Sequence, residues 1–233
     1  PELMSSFDLY ISDKPAPRYF HPLAPQAALG RHRRICLLTH PSQWYASWAA
    51  NSRKNLVRAV EESLKRLNTD HIDLLWAHMS DNVTPMEEIL RGFDDLVRAG
   101  KIHYAGLSNF PAWRIARADL LAEVRNFAPI IGIQVEYSLV ERTADRELLP
   151  MAEALGLGAT LWSPLGGGFL TGKYRESQGD TRASKMGILV HAEKSARETA
   201  VLDTLLAVAA ELDATPTHVA IAAAVRCASA SAS

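Results

Sequence analysis

A chain of 233 residues that is 48% hydrophobic and 22% charged has enough apolar material for one sizeable core. Its formal net charge of −1 at pH 7 excludes the strong bias that marks a nucleic-acid or anionic-membrane partner. The 2 cysteines, Cys36 and Cys227, lie far apart and outside any CxxC pattern, which argues against a disulfide framework or a thiolate zinc site.

Residues 1–33 hold Pro1, Pro15, Pro17, Pro22 and Pro25 with little periodicity, and they predict an irregular N-terminal segment. From residue 34 onwards, short apolar runs alternate with helix-period segments, as in parallel strands joined by crossovers. The expected strands are 35–39, 72–77, 104–107, 130–135 and 159–162. They recur about every 30 residues, the unit length of a (β/α)8 TIM-type barrel of about 250 residues. The barrel is expected over 34–226, with a frayed ASASAS tail at 227–233.

Between these strands, Leu56, Val60, Leu64 and Leu67 form one helical stripe, with Glu61 and Lys65 paired on its outer side. Thr84 reads as the next N-cap, with Pro85 at the first helical position and Glu87 completing a capping box. Ile89, Phe93, Leu96 and Val97 then face inward until Gly100 stops the helix. The same spacing predicts burial of Trp113, Ala116, Leu120 and Val124 in the following crossover, and a later helical segment runs from Thr143 to Gly156. Residues 176–196 read as a polar loop. Val201, Leu202, Leu205, Val208 and Leu212 make a long helix, after which Thr215, Pro216 and Thr217 start a shorter one.

The run 72–77 is nearly continuous in apolar residues, as befits a strand covered on both faces, and it leads directly into His78. Barrel enzymes place their chemistry at the carboxyl ends of strands. A histidine there is either a site residue or a strand-end group bonded to a neighbouring loop. No apolar run approaches the roughly 20 residues of a membrane span, and no basic region precedes an apolar signal core, so a soluble, cytoplasmic chain is expected.

Four segments carry a resemblance: NSRKNLVRAVEESLKRLNTDHIDLLWAHMSDNVTPMEE, VRAGKIHYAGLSNF, GIQVEYSLVER and WSPLGGGFLTGKY. In this order they are similar to the landmark segments of the aldo-keto reductase family, over about residues 34–226. The resemblance implies an NADP-dependent oxidoreductase on a (β/α)8 barrel that reduces aldehyde or ketone carbonyls, with NADP(H) as cofactor and a small-molecule carbonyl as substrate. It also implies roles for individual residues. His78 matches the histidine that orients the carbonyl. Ser108, Asn109 and Gln134 match the set that hydrogen-bonds the nicotinamide carboxamide, and Trp162 the ring stacked on the nicotinamide. Ser163, Leu165, Gly167, Leu170 and Lys173 match the loop that covers the pyrophosphate, where glycines admit an anion close to backbone amides. Each has a purely structural alternative: a helix cap for Asn109, a core ring for Trp162, a flexible turn for the glycine run.

The family's catalytic aspartate, tyrosine and lysine are not reproduced. RRICLLTH resembles the strand that ordinarily closes on lysine but ends in His40, and FDLYISD, with Asp8 and Tyr10, lacks the family's aspartate-to-tyrosine spacing. Tyr45 reads as a surface aromatic. On this alignment the first two barrel strands and the last are absent or altered, leaving sheet edges that invite pairing with another copy. A second reading therefore stands beside the reductase: a truncated, non-catalytic relative that binds nucleotide or acts as a scaffold. A metal-dependent hydrolase would need His32, His40 and His78 to converge with a carboxylate, and no pair among them has helical ligand spacing, so no metal is expected.

Overall fold

A computed structural model describes residues 9–12, 35–39, 53–81, 83–176, 193 and 195–230, the first two segments and 53–55, 176 and 230 by backbone alone. Among them, six strands form one sheet in consecutive order: β1 (Leu9–Ser12), β2 (Ile35–Thr39), β3 (Ile72–Ala77), β4 (Ile102–Ser108), β5 (Ile130–Glu136) and β6 (Gly158–Trp162). β1 to β5 pair in parallel. A consecutive order has no point at which the winding reverses, so the sheet is wound as in a barrel and not as in a doubly wound sheet.

β2 and β3 have the expected bounds. β4 begins two residues before its expected start, because Ile102 is fully buried and pairs with Ile72. β1 is a correction: residues 1–33 were expected to be irregular, yet the apolar LYIS run pairs with β2, Leu9 beside Ile35. Four residues between prolines are too short a run for periodicity to reveal. His40, Tyr45 and His32 lie outside the described residues.

The helices are α1 (Arg53–Leu67), α2 (Met86–Arg98), α3 (Ala112–Arg125), α4 (Leu148–Ala154), α5 (Lys173–Glu176), α6 (Ala196–Glu211) and α7 (Pro216–Ala230). Val60, Leu64 and Leu67 of α1 are buried as the stripe predicts, but Glu61 pairs with Lys101 and not with Lys65. α2 comes so close to α1 that a Cβ on Gly92 would lie 2.6 Å from Leu56 Cδ2. Thr84 does not cap α2; its hydroxyl and amide go to Asp81, and Glu87 pairs with Arg125. The turns from α1, α2, α3 and α4 into the following strands each contain a residue at positive φ, namely Asn68, Gly100, Asn126 and Gly156. In each, the next amide donates back to a carbonyl in the last turn of its helix, as in Thr69 to Leu64 at 3.2 Å and Leu157 to Ala152 at 2.7 Å.

α3 corrects the expected stripe by two positions. Ile115, Ala118 and Ala122 are buried, whereas Trp113, Leu120 and Val124 are 65%, 59% and 69% exposed. The helix carries apolar residues on two faces, and spacing alone does not choose between them. The C-terminal tail is also corrected: α7 continues to Ala230, with Ser229 Oγ donating to Val225 O at 3.0 Å. Residues 177–192 of the expected polar loop lie outside the described residues. No single helix among the described residues is long and apolar enough to cross a membrane.

The chain divides into two compact units: residues 1–134 with 151–160, and residues 135–150 with 161–233. The first holds the sheet core, where Leu74, Leu75, Trp76, Phe93 and Leu107 are fully buried. The second has its own core of Phe169, Leu170, Leu202, Leu205 and Ala220.

Candidate functional site

In the first unit, β3, β4 and β5 end side by side. Parallel register sets Ala77 beside Leu107 and Ser108 beside Gln134, so His78, Ser108 and Gln134 fall at neighbouring carboxyl-terminal strand positions. Ser108 is fully buried and Gln134 is 7% exposed. Buried polar groups of this kind need partners. Ser108 Oγ donates to Gln134 Oε1 at 3.1 Å, Asn109 Nδ2 donates to Ser108 Oγ at 2.9 Å, and Asn109 N donates to Gln134 O at 3.1 Å.

Asn109 also reaches the next strand, where its Nδ2 donates to the backbone oxygen of His78 at 3.0 Å. It adopts φ 57°, a left-handed conformation that asparagine tolerates better than most residues. That turn releases the chain from β4, and Pro111 then precedes α3 as an N-cap without a side-chain bond. The amide of Asn109 is therefore not a helix cap; it ties the exit of β4 to the exit of β3. His78 is half-buried, with Nδ1 shielded from solvent.

Two residues absent from the sequence-based set organise the loop that follows His78. Asp81 accepts the amides of Val83 and Thr84 at 3.0 and 2.9 Å and the Thr84 hydroxyl at 2.5 Å. Arg114, 6% exposed, reaches from α3 to Ser80 Oγ at 2.5 Å and Thr84 O at 2.7 Å, with its guanidinium 5.5 Å from the Phe110 ring. Burial lowers its pKa and the charge of Asp81 opposes that shift. An arginine inside an amphipathic pattern reads as solvent-facing, so only its place beside the corrected α3 stripe could have flagged it.

The remaining predicted residues belong to the second unit. Trp162 ends β6, is 36% exposed, and its carbonyl accepts Tyr137 N at 3.2 Å. Ser163, at φ 57°, accepts Gly166 N on its carbonyl at 2.8 Å and Gly167 N on Oγ at 3.2 Å. Leu165 O accepts Gly168 N and Leu170 N at 3.0 and 3.1 Å. Gly166, Gly167 and Gly168 all have positive φ, so the loop folds its amides back onto its own carbonyls. A Cβ on Gly168 would meet Tyr174 Oη at 3.0 Å, and that hydroxyl donates to Gly167 O at 3.0 Å. Leu170 is fully buried in the core, while Lys173 is exposed with Nζ 5.1 Å from the Tyr174 ring.

Sequence reasoning also passed over Tyr137, which is fully buried and donates to Asp145 Oδ1 at 2.7 Å. Arg142 bonds Asp145 Oδ2 at 2.6 Å and lies 5.0 Å from the Tyr137 ring. Burial opposes its charge, but the bond to Asp145 outweighs this together with neighbouring negative groups and raises its pKa.

Comparison with known proteins gives a consistent set of likenesses. Residues 35–228 match the Aldo/keto reductase family. A stretch of 133 residues is 48% identical to the uncharacterized oxidoreductase YrpG of Bacillus subtilis, covering 57% of this chain and 41% of that protein. A putative voltage-gated potassium channel subunit beta of Schizosaccharomyces pombe is 39% identical over 54% of the chain and 37% of its own length. Norsolorinic acid reductase of Aspergillus flavus is 35% identical over 63% of the chain and 37% of its own length. The matched stretch thus spans about two-fifths of each of these relatives.

Proposed function

Because the chain belongs to the aldo/keto reductase family, whose fold is a (β/α)8 barrel, we propose that it serves NADP(H)-dependent reduction of small aldehydes or ketones. The observation that carries this reading is the network of buried Ser108 and Gln134 with part-buried Asn109 at the carboxyl ends of β4 and β5, joined to His78. A nicotinamide carboxamide needs one donor and one acceptor, and a serine hydroxyl with two side-chain amides contains both kinds. The donor set fits the group.

NADPH, when bound, supplies the hydride for a carbonyl carbon. Ser108, Asn109 and Gln134 are the residues that would hold its carboxamide and orient it. His78, whose backbone oxygen accepts from Asn109, would orient the substrate carbonyl, the role the resemblance implies. By the resemblance, Trp162 of the second unit would offer an apolar face to a nicotinamide ring, and in the same unit Ser163, Leu165, Gly167 and Leu170 would meet a pyrophosphate through the backbone and Lys173 through its charge.

A second reading rests on a sequence observation: β2 is followed by His40 where the resemblance calls for lysine. On that reading the chain binds nucleotide without turnover. Channel-subunit function belongs to the S. pombe relative by name and lends the scaffold role its precedent. Self-pairing through the strands that end the order, β1 and β6, is part of the same proposal and would appear as dimers in light scattering.

The test titrates the chain with NADPH and NADH while following tryptophan fluorescence, and then adds nitrobenzaldehyde while following nicotinamide absorbance. Saturable binding weakened about tenfold or more in Asn109→Gly, with turnover in the parent chain, supports the reductase. Binding without turnover supports the second reading. No saturable binding of either cofactor overturns both.

A further inference from the structure

The opposite end of the same sheet holds a cluster that the proposed reductase chemistry does not use. Register places Ile72 beside Ile102 and Leu74 beside Tyr104, so Asp73 falls next to His103 on the adjacent strand. His71 lies two residues before Asp73, the spacing that returns a side chain to the same face of a strand. One ligand atom each from His71, Asp73 and His103 lie within 4.8 Å of one another. The two imidazole rings are 4.7 Å apart between centroids, inclined by 39°.

This is a donor set with an attached support. His71 Nδ1 and Asp70 Oδ1 are 2.7 Å apart. A proton held on Nδ1 by that carboxylate leaves the lone pair on Nε2, the arrangement in which a carboxylate holds a metal-ligating histidine in one tautomer.

We propose that His71, Asp73 and His103 bind a divalent transition-metal ion of the zinc class, with Asp70 holding the His71 ring. Two nitrogens and one carboxylate oxygen favour Zn2+, Co2+, Ni2+ or Cu2+ over Mg2+ and Ca2+, which prefer all-oxygen shells. Three protein ligands leave the remaining position to water. The His71 side chain is 42% exposed and that of Asp70 is 95% exposed, so the ion enters from solvent without any opening of the core. In barrels the amino-terminal end of the strands serves stability and not chemistry. The ion therefore works as a clip between the starts of β3 and β4. Helical spacing could not announce it, because His71 and His103 meet only through strand register.

The test uses Co2+ as the probe, added to the full chain and followed by its visible absorption. The expected result is saturation at one ion per chain, displacement of the colour by Zn2+, and a thermal transition raised by Zn2+. His103→Gln removes both responses, Asp70→Asn weakens binding by about tenfold, and His218→Ala, altering an exposed histidine on α7, leaves both intact. His103 is exposed, so its substitution preserves the fold, and circular dichroism verifies this. Absence of saturable binding, or equal binding by the parent and His103→Gln, overturns the proposal.

Discussion

Trp76 occupies the space that a side chain at position 106 would need: a Cβ on Gly106 would lie 2.3 Å from the indole Cζ3. The two residues are register partners on β3 and β4, and Trp76 is fully buried. A glycine in a strand interior costs conformational entropy, and here it admits a large ring between paired strands. Gly106→Ala is expected to destabilise the chain by about 1–3 kcal/mol or more, as overpacking of a filled core does. Urea denaturation measures this. Trp76→Leu in the same chain is expected to recover part of the loss, so that the pair is non-additive. Equal losses for Gly106→Ala with and without Trp76→Leu would show that the ring is not the obstacle.

Arg114 ties α3 to the loop that carries the chain away from His78. Arg114→Met keeps much of the apolar stem but leaves the Thr84 carbonyl and Ser80 hydroxyl without this donor. The expected loss is about 1–3 kcal/mol, the cost of a buried polar group left unsatisfied. Hydrogen exchange should locate it in residues 79–85. A uniform loss across the sheet, with those amides no more affected than others, would contradict the local tie.

The phase of α3 gives a paired prediction. Ile115 is 1% exposed and Trp113 is 65% exposed. Ile115→Ala is expected to cost about 2–5 kcal/mol, and Trp113→Ala at most about 0.5 kcal/mol. Thermal or denaturant unfolding of the two variants distinguishes this phase from the expected stripe, which would reverse the order.

Glu61 gives a pH dependence. Its hydrogen bond to Lys101, then the charge of that lysine, holds its carboxyl below the ordinary glutamate range, with a smaller contribution from Lys65. A lowered folded-state pKa means the contribution is fully present above the unfolded value and is lost as pH falls through the folded value. The stability difference between the parent and Lys101→Met should therefore shrink on acidification across that window, and molar salt should shrink it at neutral pH. A difference that grows on acidification would reject the assignment.

The strands were the most legible part of the chain because buried parallel strands are short, apolar and bounded by helix stops, as 35–39 and 72–77 show residue for residue. The phase of α3 was not, since two apolar faces compete on one helix and only the packed sheet selects Ile115 over Trp113. β1 escaped because a four-residue strand with three apolar residues carries no period. At the candidate site, His78, Ser108, Asn109 and Gln134 were legible through a family resemblance. Their connection was not: Asn109 to His78 is a bond across 31 residues that no local pattern contains. Arg114 and Asp81 were missed for the same reason, as was the neighbourhood of His71 and His103.

The division into two units has a consequence for synthesis. The first unit needs residues 151–160 in addition to 1–134, while 135–150 belong to the second. At ordinary translation rates those closing residues leave the ribosome within about 1–5 s of residue 134. Through that interval the nascent first unit waits with β6 missing, and the second has shown only its opening stretch. Neither unit can be encoded as an uninterrupted fragment, and a gene cut after the codon for Gln134 specifies a sheet without β6 and without the last two residues of β5.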